Sequence, residues 1–222
     1  MILKAEGIKK QFYRKKESSN YFEAVKPLDF TVSSGELVVI QGRSGSGKST
    51  LLNMLSGILK PDAGKIFYDD TDIYSMKDEA LSVFRNENTG FIPQGQSAVM
   101  SLTLYENIMV PLTIYGKSDE EKAKSLMERF DISNLKDAKP SELSGGELRR
   151  MSIARALMKD PKVIFADEPT GDLDDENTKV VFEALKKASD DGAIVIIVTH
   201  EEDGKNYADK MYRMNAGELI EG

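Results

Sequence analysis

The chain has 222 residues, 40% apolar and 30% charged, enough for the core of one domain and too apolar for a disordered chain. With 30 Lys and Arg against 37 Asp and Glu the net charge is −7, which disfavours nucleic acid or an anionic membrane as the main partner. Cysteine is absent, so disulfides, thiolate metal sites and a Cys nucleophile are excluded, and the lone histidine, His200, excludes a poly-His metal centre.

In chain order, alternating patterns over residues 2–8 and 25–32 predict antiparallel strands. The polar run RKKESSN at 14–20 reads as a hairpin tip or exposed loop. The N-terminus has no run apolar enough for a signal peptide. The longest apolar stretch, 193–198, falls far short of the roughly 20 residues that span a bilayer. The chain is therefore not expected to enter a membrane by itself.

Ser34-Gly35 marks a turn, and 36–40 (ELVVI) reads as a buried strand. A glycine loop follows, then a helix over 49–57 with Leu51, Leu52 and Leu55 at helical spacing and Gly57 as C-cap. Strands are expected at 64–68 and 91–92. From about 97 to 159 the pattern is mostly helical, with one helix over 118–130 capped by Ser118 and another over 147–158 ended by Asp160-Pro161. Continuous apolar runs at 162–166 and 193–199 read as strands. Between them 177–188 is an amphipathic helix, with Val181, Leu185 and Ala188 on one face. Apolar strands alternating with helices imply a parallel sheet covered on both faces. The predicted architecture is α/β: a mostly parallel sheet, an N-terminal antiparallel β subdomain, and a helical subdomain inserted at about 97–159 of a single domain spanning 1–222.

Gly42-Arg43-Ser44-Gly45-Ser46-Gly47-Lys48-Ser49 fits G-x-x-x-x-G-K-[ST] between a strand and a helix, the context this phosphate-binding P-loop requires. Its amides can face phosphate oxygens and the following helix, with Thr50 in its first turn, adds a positive dipole end. Lys48 is placed to reach the β- and γ-phosphates, and the Ser49 hydroxyl to ligate Mg²⁺. The apolar strand ending in Asp167 and Glu168 supplies a second magnesium contact at Asp167 and a carboxylate at Glu168 for orienting or deprotonating water. The competing reading is an acidic strand end capping the Pro169-Thr170-Gly171 turn. Leu143-Ser144-Gly145-Gly146-Glu147 opens a helix as a second anion-binding nest, or as an ordinary N-cap with a glycine turn. His200 directly follows a strand at the sheet edge where ligands of open α/β folds bind, though a lone histidine is often structural.

On these motifs the sequence resembles the ATPase subunit of ATP-binding-cassette (ABC) transporters over nearly its whole length. LSGGE at 143–147 is similar to the family's signature motif. Ile92-Pro93-Gln94 resembles its Q-loop, Gly171-Asp172-Leu173-Asp174 its D-loop, and Thr199-His200 its switch histidine. The stretches at 106–112 and 167–174 resemble the branch serving macrolide export, lipoprotein release, bacitracin-type peptide resistance and the division-associated ABC system.

The resemblance implies an Mg-dependent ATPase whose copies dimerise head to tail around two ATP molecules. Ser144, Gly145 and Gly146 of one copy would complete the γ-phosphate site built on Lys48 of the other. It further implies Glu168 as the base, His200 holding the γ-phosphate, Gln94 contacting Mg²⁺, and Asp174 touching the opposite subunit. An aromatic residue from the N-terminal strand would stack on adenine, with Phe12 aligned best and Tyr13 the near rival; edge packing is the alternative for either. A transmembrane permease on another chain would hold this subunit at the cytoplasmic face of the membrane. The apolar segment at 97–116 would receive a short helix of that permease, or simply form the insertion's own core, with Met100, Leu102, Leu104 and Tyr105 as the residues to test.

Departures from the pattern are Glu147 for the commoner Gln, Leu148-Arg149-Arg150 where many members are Gln-rich, and Asp172 in the D-loop. None removes a catalytic group. The competing functions are a soluble ABC ATPase acting on ribosomes or DNA, disfavoured by the single cassette and the net charge, and a nucleotide sensor with little hydrolysis, disfavoured by intact Glu168 and His200.

Overall fold

The computed structural model describes residues 1–13, 21–95, 97–171 and 173–222. The polar run at 14–20, expected as a hairpin tip, and Asp172 lie outside the described residues. The first half of the chain forms β1 (Ile2–Tyr13), β2 (Tyr21–Ser33), β3 (Leu37–Gln41), α1 (Lys48–Leu55), β4 (Ala63–Tyr68), β5 (Thr71–Asp72), α2 (Asp78–Asn88) and β6 (Thr89–Ile92). The second half forms α3 (Leu104–Thr113), α4 (Glu120–Arg129), α5 (Gly145–Leu157), β7 (Val163–Asp167), α6 (Asp175–Asp190), β8 (Ile194–Thr199), β9 (Lys210–Asn215) and β10 (Glu218–Glu221).

Two sheets result. The antiparallel one has the order β2-β1-β4-β5, and the larger one β10-β9-β3-β8-β7-β6. In the larger sheet β3, β6, β7, β8 and β9 run parallel and only β10 is antiparallel. β1 and β2 extend beyond their alternating stretches because register shifts between Ala5 and Gln11 interrupt the alternation.

Each central strand buries both faces, so alternate residues enter different cores. Val38, Ile40, Phe165 and Ile196 pack with α1 (Leu51, Leu55) and the antiparallel sheet (Leu3, Ile8, Val32). Leu37, Val39, Ile164 and Ile197 face the opposite way, onto α5 and α6. The helices within 97–159 share that second core: Leu104, Ile108, Met127 and Phe130 belong to the same cluster. Leu104 is thus interior, whereas Met100 of the same apolar segment is 60% exposed.

Several helix starts differ from expectation for capping reasons. α4 begins at Glu120, because Asp119 rather than Ser118 is its N-cap and accepts the Lys122 amide. α5 begins at Gly145, because a reciprocal Ser144–Glu147 capping box draws both glycines into the first turn. α6 begins at Asp175 on an Asp174 cap and continues to Asp190. Neither α2 nor the β9–β10 hairpin was expected. α2 turns Leu81 and Asn88 inward and packs Phe84 against the same core.

Phe165 is fully buried in the middle of β7. Phe165→Ala is expected to cost about 3–5 kcal/mol in urea unfolding; a loss under about 1 kcal/mol would contradict this packing.

Candidate active site

Three parallel strands end side by side. Gln41 at the end of β3 pairs with Thr199 of β8, and Asp167 of β7 pairs with Val198. The glycine loop therefore leaves the sheet next to both carboxylates and the histidine.

The loop is fitted tightly between β2 and β9. A Cβ on Gly47, whose φ is +109°, would lie 2.1 Å from the Ala24 carbonyl oxygen. A Cβ on Gly42 would lie 2.3 Å from that of Met214. Lys48 opens α1 and folds back: its Nζ donates to the carbonyls of Gly42 at 2.6 Å and Arg43 at 3.3 Å, and lies 3.9 Å from Glu168 Oε1. The lysine thus holds the ring of backbone that phosphate oxygens would enter.

Glu168 has a left-handed backbone, φ +48°, which costs a non-glycine residue on the order of 1–2 kcal/mol. Its surroundings hold it there. The Glu168 amide donates to the Val198 carbonyl at 2.8 Å. Oε2 accepts from the Thr199 hydroxyl at 2.8 Å and from the His200 amide at 3.2 Å. Oε1 lies 3.0 Å from His200 Nδ1. That hydrogen bond, reinforced by the carboxylate charge, raises the His200 pKa above its ordinary value.

Asp167 is buried behind this pair. Burial raises its pKa, opposed by the Ser49 hydroxyl and the charge of Lys48. Asp167 Oδ1 is buried without a hydrogen-bond partner, as is Ser46 Oγ. An orphaned buried carboxylate oxygen beside a serine hydroxyl is a fitting donor set for a hard divalent cation. Among the described residues no group of three or more His, Asp or Glu side chains could hold a metal by itself, so the remaining ligands would be phosphate oxygens and water.

The resulting cleft has a volume of about 580 Å³. Phe12 and Phe22 line one end, residues Arg43 to Thr50 its floor, and Gln94, Glu168 and His200 the other end. Tyr13 is not in the lining; it packs edge-on against Tyr21 with centroids 5.7 Å apart. Gly42 borders an adjoining groove with His200 and Arg213. Gly145 lines a smaller cleft of about 300 Å³ that shares Gln94, Glu168 and His200.

Ser144 and Gly146 line neither cleft. Within one chain Ser144 works as a cap: its Oγ accepts the Glu147 amide at 3.3 Å, and Glu147 Oε2 accepts the Ser144 amide at 2.7 Å. Those bonds hold the Glu147 carboxyl below the usual range. Asp174 likewise caps α6 and binds Asn177, which accepts from Arg150. The structure therefore gathers Phe12, the loop, Gln94, Asp167, Glu168 and His200, brings Gly145 to the adjoining cleft, and leaves Ser144 and Gly146 outside both. Reading the sequence overlooked Thr199 as the anchor of Glu168; its place directly before His200 was the available signal.

The family model described as ABC transporter matches residues 25–171. The lipoprotein-releasing system ATP-binding protein LolD of Aquifex aeolicus is 37% identical over 222 residues, covering 99% of this chain and 96% of that protein. The ABC transporter ATP-binding protein YtrE of Bacillus subtilis is 38% identical over 212 residues, with 94% and 92% covered. The macrolide export ATP-binding/permease protein MacB of Vibrio parahaemolyticus is 36% identical over 99% of this chain, which spans 34% of that longer protein. Among solved structures, a dimeric post-hydrolysis state of the ATP-binding cassette MJ0796 bound to ADP and Pi superposes with a TM-score of 0.92 at 31% identity, with 99% of this chain and 97% of that chain covered.

As the sole histidine, His200 titrates as one resolved imidazole signal in NMR. Its midpoint is expected above 6.5 and should fall toward 6.5 in Glu168→Gln; equal midpoints would refute the pairing. Because the folded pKa is raised, the contact stabilises the fold below the unfolded pKa, and that contribution is lost as pH rises through the folded pKa.

Proposed function

This chain belongs to the ABC transporter family, and on that premise we propose that it powers a separate membrane permease by closing and reopening, with ATP, a head-to-tail pair of copies. The observation that carries this reading is the division of the site. One cleft collects Lys48, Glu168 and His200, while Ser144 and Gly146 lie outside it. Two copies related by a two-fold axis would supply each cleft with the missing half, since each presents both parts. The partial positive charge at the N-terminal end of α5 would then face the γ-phosphate of the partner copy's nucleotide.

Within the cleft, Phe12 would stack on adenine, and the amides of Ser44 to Thr50 would bind the phosphates. Lys48 would exchange the Gly42 and Arg43 carbonyls for β- and γ-phosphate oxygens. Ser49, Asp167 and Gln94 are the residues that would hold magnesium. Held there, magnesium would supply charge neutralisation for the phosphates. Water attacks the γ-phosphorus, the bond to the bridging oxygen breaks, and a Glu168 carboxylate oxygen takes the water's proton. Thr199 keeps the other carboxylate oxygen fixed during this transfer. His200 would donate from its imidazole to the γ-phosphate.

Among the described residues no helix is long and apolar enough to cross a membrane. The relative MacB is a macrolide export ATP-binding/permease protein and the relative LolD is the ATP-binding protein of a lipoprotein-releasing system, which supports a permease as the partner that this ATPase drives. A soluble ribosome- or DNA-directed role has no support among these relatives and conflicts with the net charge of −7.

Glu168→Gln is expected to lower ATP turnover by at least about 100-fold with ATP binding retained. A tagged Glu168→Gln chain, purified from cells in mild detergent with Mg-ATP, should bring down a polytopic membrane protein in stoichiometric amount. Ribosomes, DNA-associated proteins or the ATPase alone would overturn the transporter reading. In a direct binding titration, Phe12→Ala should weaken ATP affinity by about 2- to 10-fold and Tyr13→Ala should not; the reverse order would reassign the stacking residue.

A further inference from the structure

Arg149 lies in the second turn of α5 and is only 8% exposed. Among the described residues its guanidinium reaches three backbone carbonyls on other segments. Nη1 donates to Pro93, Nε to Pro169 at 3.0 Å, and Nη2 to Asp167 at 3.1 Å. Those carbonyls adjoin Gln94, the Asp167–Glu168 pair and the turn leading to Asp174. The arginine itself comes from the helix that Ser144 opens.

A guanidinium presents its donors in a rigid planar fork, so three acceptors on one fork fix both distance and angle. The other contacts of α5 differ in kind. Leu148, Met151, Ile153 and Leu157 pack into the shared core by non-directional apolar burial. Arg150 adds a single bond to the Asn177 side chain. Farther along the same helix, Arg155 donates to the Ser97 carbonyl at 2.9 Å and also to the Ser97 hydroxyl. One helix thus grips the Gln94 loop at both ends, and Arg149 alone among these grips also reaches the strand end that carries the carboxylates.

We propose that Arg149 is a positioning residue that sets the angle of α5 against the Asp167–Glu168 strand end. It presets, before nucleotide arrives, the surface on which a second copy closes. Arg149 touches no reacting atom. Its effect appears in closure and turnover rather than in nucleotide binding by one copy. This rests on the reading of Ser144 as completing a partner's site.

The test compares Arg149, Arg149→Lys and Arg149→Gln in two backgrounds. In the Glu168→Gln background, the ATP concentration at half-dimerisation is read by light scattering. In the active background, kcat and KM are measured, with a fluorescent ATP analogue titrated onto the monomer. Arg149→Gln is expected to raise the half-dimerisation concentration and lower kcat by at least about tenfold each, with analogue affinity within about twofold. Arg149→Lys, which keeps the charge and loses the fork, should fall between. Dimerisation and kcat within about twofold of the parent would overturn the proposal, as would losses matched by equal loss of analogue affinity in both variants. If the Glu168→Gln parent fails to dimerise with ATP, the paired-copy reading falls, and kcat against analogue affinity still decides the role of Arg149.

Discussion

Lys48, Asp167 and Glu168 are each less than a tenth exposed, and they sit together at one end of an apolar sheet. Withdrawing such groups from water costs several kcal/mol per ion, and pairing them in the interior does not reliably return it. The rest of the molecule can be understood from that constraint. The parallel strands β3, β7 and β8 are apolar on both faces, and the burial of those faces supplies the stability that the charged edge consumes. Their register then does the placing, because adjacent strands that end together deliver a lysine loop, two carboxylates and a histidine to one rim. The left-handed backbone at Glu168 belongs to the same account: strain at one residue is tolerated because Val198, Thr199 and His200 all bind it.

The helix α5 has two tasks that would conflict in an ordinary surface helix. In the proposed pairing its first turn would face a phosphate of the partner copy, and it opens with Ser144 and two glycines under a capping box. Its middle is buried between the sheet and other helices, with Leu148, Met151, Ile153 and Leu157 in the shared core. Arginines at 149 and 155 help to anchor it, with main-chain carbonyls as acceptors. Carbonyl acceptors leave the carboxylates of Asp167 and Glu168 available for their own chemistry.

The motif residues were legible because their spacing is dictated by chemistry that acts within a few residues: a glycine loop between strand and helix, carboxylates at a strand end, a histidine after another. The central strands were legible because burial on both faces leaves continuous apolar runs. What could not be read depends on the third dimension. Arg149 next to Arg150 looks like a solvated pair, and only the path of the Pro93 and Pro169 segments makes one of them interior. The choice between Phe12 and Tyr13 turns on strand register, which the bulges in β1 shift. α2 went unread although Leu81, Phe84 and Asn88 lie at helical spacing on one face. The cap of α4 was displaced by one residue because Asp119 and Ser118 are both good caps and local sequence does not rank them.

The separation of the Lys48 cleft from the Ser144 helix end has a genetic corollary. In the proposed pairing each composite site takes its loop from one copy and its LSGGE end from the other. A chain damaged at Lys48 paired with a chain damaged at Ser144 concentrates both lesions in one composite site and leaves the second site whole. Two alleles that are each defective in a pair of identical copies would thus complement one another, whereas two different lesions on the same side of the divide would not.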